Sequence, residues 1–145
     1  MSIPVEMVRP AGIVGHHSAG KDTSRLEFLG ILDWHVNHNR WRTIGYHWVL
    51  EDFAGHVLVV QGREPFMLGA HCRGHNNMIG VCLVGKFNLK PPSEALLNKT
   101  ARLVKALLLQ YNYLTPRDVY DHRDLNDTTC PGKYFSMRRD VLPRL

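Results

Sequence analysis

Nothing in these 145 residues approaches the roughly 20 consecutive apolar residues that span a bilayer, so no membrane partner is expected. The opening stretch MSIPVEMVRP also lacks the charged start and apolar core of a secretory signal, which makes synthesis in the cytoplasm the expectation. No repeat, low-complexity tract or Gly/Ser/Pro-rich linker divides the chain. Its length suits one domain, residues 1–145, with room for a real core. Cysteine is scarce: Cys72, Cys82 and Cys130 are odd in number and show no CxxC spacing, which argues against a disulfide framework. Cys82, within the apolar run Ile79 to Val84, reads as a small buried hydrophobe. Clustered charge is missing too. Eighteen Lys and Arg against thirteen acids give a net charge of +5, but only Arg138 and Arg139 are adjacent. No stripe of cations with exposed aromatics marks a nucleic-acid face, so no nucleic-acid partner is expected. An excess of this sign suits a polyanionic environment in general, whether nucleic acid, anionic lipid or an acidic wall polymer, and solubility and substrate attraction explain it.

Several segments carry a readable period. Ile13-Val14 leading into His16-His17 predicts a short strand over 12–19. Ser24-x-x-Glu27 has the form of a capping box, and Leu26, Leu29, Leu32 and Val36 recur at helical spacing, predicting a helix over about 24–38. Thr43 to Leu50 is rich in β-branched and aromatic residues; with a turn at Glu51–Gly55 and a returning strand His56–Val60 it predicts a hairpin. Met78 to Val84 reads as a fully buried central strand. Ser93 caps a second helix whose apolar positions, from Leu96 to Tyr111, keep a 3.6-residue period. Thr115 to Tyr120 is a connection or short strand, and Tyr134 to Leu142 a short closing helix. These elements predict an α/β fold, a central mixed sheet flanked by helices.

What is abundant is histidine, nine in all, and one stretch gathers the most chemistry: Tyr120 to Lys133 holds His122 and Cys130 eight apart on turn-rich chain. Imidazole and thiolate suit zinc, and three protein ligands with one open position is the catalytic pattern. A third ligand is available in His16 or His17. As strand neighbours these point to opposite faces, and pattern alone does not choose between them. His71, Cys72 and His75 form a second candidate cluster, ranked lower because they serve equally well as a substrate-facing rim. His35 and His38 are read as a solvated helix face, and His56 as a surface residue. Tyr46 is either a core aromatic or a phenol donor beside a metal. Thr128 is either a turn-capping hydroxyl or a second donor.

Four blocks, spread in order over nearly the whole chain, carry a resemblance: Ile13 to Ala19 (IVGHHSA), Trp41 to Trp48 (WRTIGYHW), Gly74 to Gly85 (GHNNMIGVCLVG), and His122 through Cys130-Pro131. Together they resemble the zinc-dependent N-acetylmuramoyl-L-alanine amidases, the family shared by phage endolysins and peptidoglycan recognition proteins. The resemblance implies a Zn²⁺ site in a surface cleft with His16, His122 and Cys130 as ligands, His17 taking the family's variable position. It implies Tyr46 as a catalytic residue. Thr128 stands where phage members carry lysine and catalytic recognition proteins carry threonine. His17, Trp41, His47, His71 and Asn76 become expected substrate-binding positions, and Arg40 or Arg42 a partner for a stem carboxylate. The implied reaction is hydrolysis of the amide joining N-acetylmuramic acid to L-alanine, by a monomeric phage or prophage endolysin that reaches the wall from the host periplasm after release. The implied alternatives are a non-lytic peptidoglycan-binding protein, or a regulator of RNA polymerase as one phage member of the family is. The acceptors that fix the ligand imidazoles stay unnamed at this level.

Overall fold

The computed structural model describes residues 8–20 and 27–145. Ser24 and Leu26, and with them the expected capping box, lie outside the described residues. A five-stranded mixed sheet has the order β3-β2-β4-β1-β5. Its strands are β1 (Ile13–His17), β2 (Trp48–Phe53), β3 (His56–Gln61), β4 (Ile79–Leu83) and β5 (Val119–Asp121). β1 runs parallel to β4 and β5, β2 runs parallel to β4, and β2–β3 is the antiparallel hairpin. β1 and β4 are buried along their whole length, as strands covered on both faces are.

Alternation along the strands sorts the two faces. Leu50, Val81, Leu83 and Ile13 meet the long helix α2 (Glu94–Gln110), which contributes Leu96, Leu97, Ala101, Val104 and Leu107. Each large side chain among them contributes about 1.5–3 kcal/mol on full burial. The Ser93 hydroxyl accepts from Leu96 N–H at 3.2 Å, so the expected cap is present. Val49, Cys82 and Ile44 face the other way and are covered by Phe28, Ile31 and Leu32. Phe28, Ile31 and Leu32 belong to α1 (Glu27–Asp33), which continues as a wider π-type turn over Trp34–His38. The buried Glu51 carboxylate accepts from the N–H groups of Glu27 and Phe28, both at 2.9 Å, and ties this helix to β2.

The hairpin is displaced from its expected position. Ala54 and Gly55, with φ of 53° and 85°, make the two-residue turn whose twist matches paired strands, and Phe53 sits opposite His56. Glu51, Asp52 and Phe53 therefore belong to β2, while 43–47 is irregular chain joined to β4 by His47 N–H donating to Gly80 O at 3.0 Å. The closing segment is a π-type turn, Met137–Val141, followed by a short turn Leu142–Arg144. Among the described residues no helix is long and apolar enough to cross a membrane.

Candidate metal centre

Sheet register assembles the site. Gly15 of β1 lies opposite Asp121 of β5, so the residue that follows, His122, emerges beside His16 at the carboxyl ends of parallel strands. The two rings are 4.5 Å apart between centroids. After His122 the chain makes a tight turn and comes back, with Arg123 N–H donating to Cys130 O at 2.9 Å. The Arg123 guanidinium clamps this return through Gly132 O (2.8 Å), Phe135 O (2.6 Å) and the buried Asp121 carboxylate (3.0 Å). Cys130 Sγ then lies 3.7 Å from His16 Nδ1 and accepts from His17 N–H at 3.4 Å.

Ligand atoms of His16, His122 and Cys130 all lie within 4.8 Å of one another. A tetrahedral ion with bond lengths usual for zinc holds neighbouring nitrogen and sulfur donors about 3.6 Å apart, which the His16–Cys130 distance matches. One further observation fits a cation. Nδ1 of His122 is buried without a hydrogen-bond partner, while its Nε2 is bonded to Asn126 Oδ1 at 2.8 Å. Because that oxygen can only accept, Nε2 carries the hydrogen and Nδ1 carries a lone pair. A buried lone pair with no donor is costly unless a cation completes it. The residues present therefore fit zinc.

Burial sets the protonation states. His16 is held well below the usual histidine range, first by desolvation and then by His71, His122 and His17, so it is neutral, as a metal ligand must be. The Cys130 thiol, without a metal, is pushed up to about 11, mainly by burial. Tyr46 packs over His16 with centroids 5.2 Å apart, and burial, then Cys82 and Cys130, raise its pKa well above 10. Its phenol therefore keeps its hydrogen. Thr128 Oγ1 accepts from Cys130 N–H at 3.2 Å, which makes it the turn-capping hydroxyl while leaving its own hydrogen to donate.

His16 shares the α1-side face with Cys82, its partner in register, and lies with His122 and Cys130, whereas His17 points to the α2 side. Four of the five residues expected to touch substrate instead have their ring or amide acceptors engaged inside the protein. His17 Nδ1 accepts from Phe87 N–H at 3.2 Å. His47 Nδ1 accepts from Gly80 N–H at 3.0 Å and its Nε2–H donates to Met67 O at 2.8 Å. His71 bonds His16 Nε2 through Nδ1 and Met78 O through Nε2, each at 2.9 Å. Asn76 Oδ1 accepts from the N–H groups of His71 and Cys72. His71 and His47 thus have both ring nitrogens bonded inside the protein. Trp41 is half-buried against His35, at 4.7 Å between centroids. Arg40 and Arg42 are exposed.

His35 does not lie on a solvated face: its Nδ1 accepts from Gly45 N–H at 2.9 Å, and its ring packs against Trp41 and Tyr46. His38 stacks on Trp34 at 3.7 Å. Among the described residues His71, Cys72 and His75 form no metal-holding group. Beside the metal centre a groove of about 920 Å³ is lined by Ser18, Glu27, Leu29, Trp34, His35 and Tyr46. Sequence reasoning missed Asn126, although its position four residues after His122 on a helical turn is the spacing at which such side chains meet.

The N-acetylmuramoyl-L-alanine amidase family profile matches residues 6–133, and the chain belongs to that family. Peptidoglycan recognition protein 1 of Bos taurus is 33% identical over 129 residues, covering 83% of this chain and 65% of that protein. Peptidoglycan recognition protein 3 of Homo sapiens is 29% identical over 135 residues, 92% of this chain and 38% of that one. The chain thus spans between about two fifths and two thirds of the length of the first curated relatives it matches. Among solved structures, the Ph2119 endolysin of a Thermus scotoductus bacteriophage superposes with a TM-score of 0.74 at 26% identity, covering 92% of this chain and 83% of that one. Drosophila peptidoglycan recognition protein LB, solved as a point mutant in complex with tracheal cytotoxin, gives 0.80 at 22% identity over 98% of this chain and 88% of that one, a likeness of fold.

Proposed function

We propose that the chain is a zinc-dependent N-acetylmuramoyl-L-alanine amidase of the endolysin kind, cleaving the amide between the lactyl group of N-acetylmuramic acid and L-alanine. The observation that carries this reading is the unpartnered Nδ1 of His122 beside His16 Nδ1 and Cys130 Sγ. Zinc, when bound, supplies Lewis acidity toward an amide carbonyl and a water. The chain's own residues do the rest. His16, His122 and Cys130, the last as thiolate, would hold the ion. The Tyr46 O–H, kept protonated by burial, donates to the oxygen on which charge develops; such a donor is worth about 100- to 1000-fold in rate. Thr128 has a hydroxyl hydrogen left for the same oxygen. The groove along α1 receives the peptide stem, its apolar wall of Leu29 and Trp34 excluding water, and the net charge of +5 draws the protein to an acidic wall.

A second reading, muropeptide binding without cleavage, draws on one detail: the Thr128 oxygen is already committed to the Cys130 N–H, so less of that side chain is free to follow a moving oxyanion. One assay separates the two. Purified peptidoglycan is treated with zinc-loaded protein, chelated protein and a Cys130→Ser variant, and new amino groups and new reducing sugar ends are counted. Amino groups are expected with zinc and Cys130 together, without reducing ends. Zinc binding with no new amino groups on any wall type would leave the binding reading.

A further inference from the structure

The loop from Gly69 to Met78 reaches both histidine ligands from behind. Met78 O can only accept, so His71 Nε2 carries the hydrogen and His71 Nδ1 is an acceptor. His16 Nε2 must then be the donor across the 2.9 Å contact, which leaves the His16 lone pair on Nδ1, the atom beside Cys130 Sγ. The His122 side is fixed in the same way. Asn126 Nδ2 donates to Arg73 O and Leu125 O, both at 3.0 Å, which orients the amide. Its Oδ1 accepts from Cys72 Sγ–H at 3.3 Å and from His122 Nε2–H at 2.8 Å. His71 and Cys72, the two adjacent residues that start these two arms, are held by one group: Asn76 Oδ1 accepts from both their N–H groups, at 2.9 and 2.8 Å. The space for the His71 ring exists because Gly69 and Gly80 lack side chains; a Cβ at either would collide with the imidazole.

We propose that this loop is a single positioning element that presents both histidines to the metal through Nδ1, with His71 acting on His16, Cys72 and Arg73 acting on His122 through Asn126, and Asn76 locking the pair. The inference rests on the zinc-site reading above. Outer partners of ligand histidines typically matter about 10- to 100-fold in metal affinity.

The test uses zinc affinity, by competition with a chromogenic chelator, and long-range ¹H–¹⁵N spectra of the zinc-loaded protein. His16, His71 and His122 are all expected as Nε2–H tautomers. His71→Phe and Asn126→Leu are each expected to weaken zinc by about 10- to 100-fold. His71→Gln, whose amide oxygen can still accept from His16, is expected to restore most of the loss. Asn76→Ala, which touches neither ligand, is expected to fall between wild type and His71→Phe. A hydrogen on Nδ1 of His71 would overturn the proposal, as would His71→Phe and Asn126→Leu binding zinc within twofold of wild type. If His71→Phe does not fold, the wild-type tautomers and His71→Gln decide. A wild-type protein that binds no zinc would overturn both this inference and the functional reading, whereas zinc binding indifferent to the loop variants would overturn the inference alone.

Discussion

On one side of the cleft, β1 and the loop behind it leave few polar atoms of their histidines unspent: His16, His17, His47 and His71 are each tied to backbone or to one another. On the other side, α1 and the π-type turn after it bury no residue and turn Leu29 and Trp34 outward, 58% and 55% exposed. An imidazole with one nitrogen tied to a fixed partner, as His16 is through Nε2, presents its other nitrogen in one geometry. An exposed apolar wall can accept a ligand. Precision sits on the side with satisfied polar groups, adaptability on the side with unburied apolar ones.

The sharpest contrast comes from one substitution on each side. Tyr46→Phe removes the donor while keeping the ring against His16, and should lower kcat about 100- to 1000-fold with KM little changed, measured by amino-group release from peptidoglycan. Trp34→Ala should do the reverse, raising KM about two- to tenfold with kcat held, since a lost aromatic contact of about 0.5–1.5 kcal/mol acts on binding. If Trp34→Ala lowers kcat as far as Tyr46→Phe does, the division between the walls fails. Next comes the anchor of the adaptable wall: Glu51→Ala leaves two N–H groups of α1 without their carboxylate and should cost about 0.5–2 kcal/mol in urea unfolding.

The smallest effect concerns pH. His47 and His35 are held below the usual histidine pKa, each first by burial, and each accepts a backbone N–H on Nδ1 only when neutral. The folded state thus binds protons less readily than the unfolded chain. The associated stability is present above the unfolded pKa of about 6.5 and is lost as pH falls through the lowered folded value. The thermal midpoint of zinc-free protein should drop between about pH 7.5 and pH 5, and His47→Gln should flatten that drop. An unchanged slope in the variant would remove His47 as a source.

Much of this was legible beforehand where the signal is local or periodic. The Ser93 cap, the α2 face and the β4 run follow from side-chain period and turn chemistry. His122 and Cys130 stood out as metal-type residues, but only the family resemblance, and then the sheet face, separated His16 from His17. The hairpin was misplaced because Thr43 to His47 has strand composition, yet the Ala54-Gly55 turn fixes the pairing further along. His35 was misread, and the partners of the other histidines were illegible, for a different reason. Whether an imidazole faces substrate or a carbonyl depends on contacts such as His16–His71, 55 residues apart, that no local pattern encodes. Asn126 was missed although its signal, four residues after His122, is local.

His16 and Cys130 stand 114 residues apart in the chain and come within 3.7 Å only once β1, β4 and β5 are in register. On the zinc reading proposed above, the ion would have no complete seat until Cys130 has been added during synthesis and the sheet has closed around His16. Closing so long a loop is the work of the sheet and its core rather than of a single cation. Zinc would come to this chain as a late rivet, set into a frame that other contacts hold.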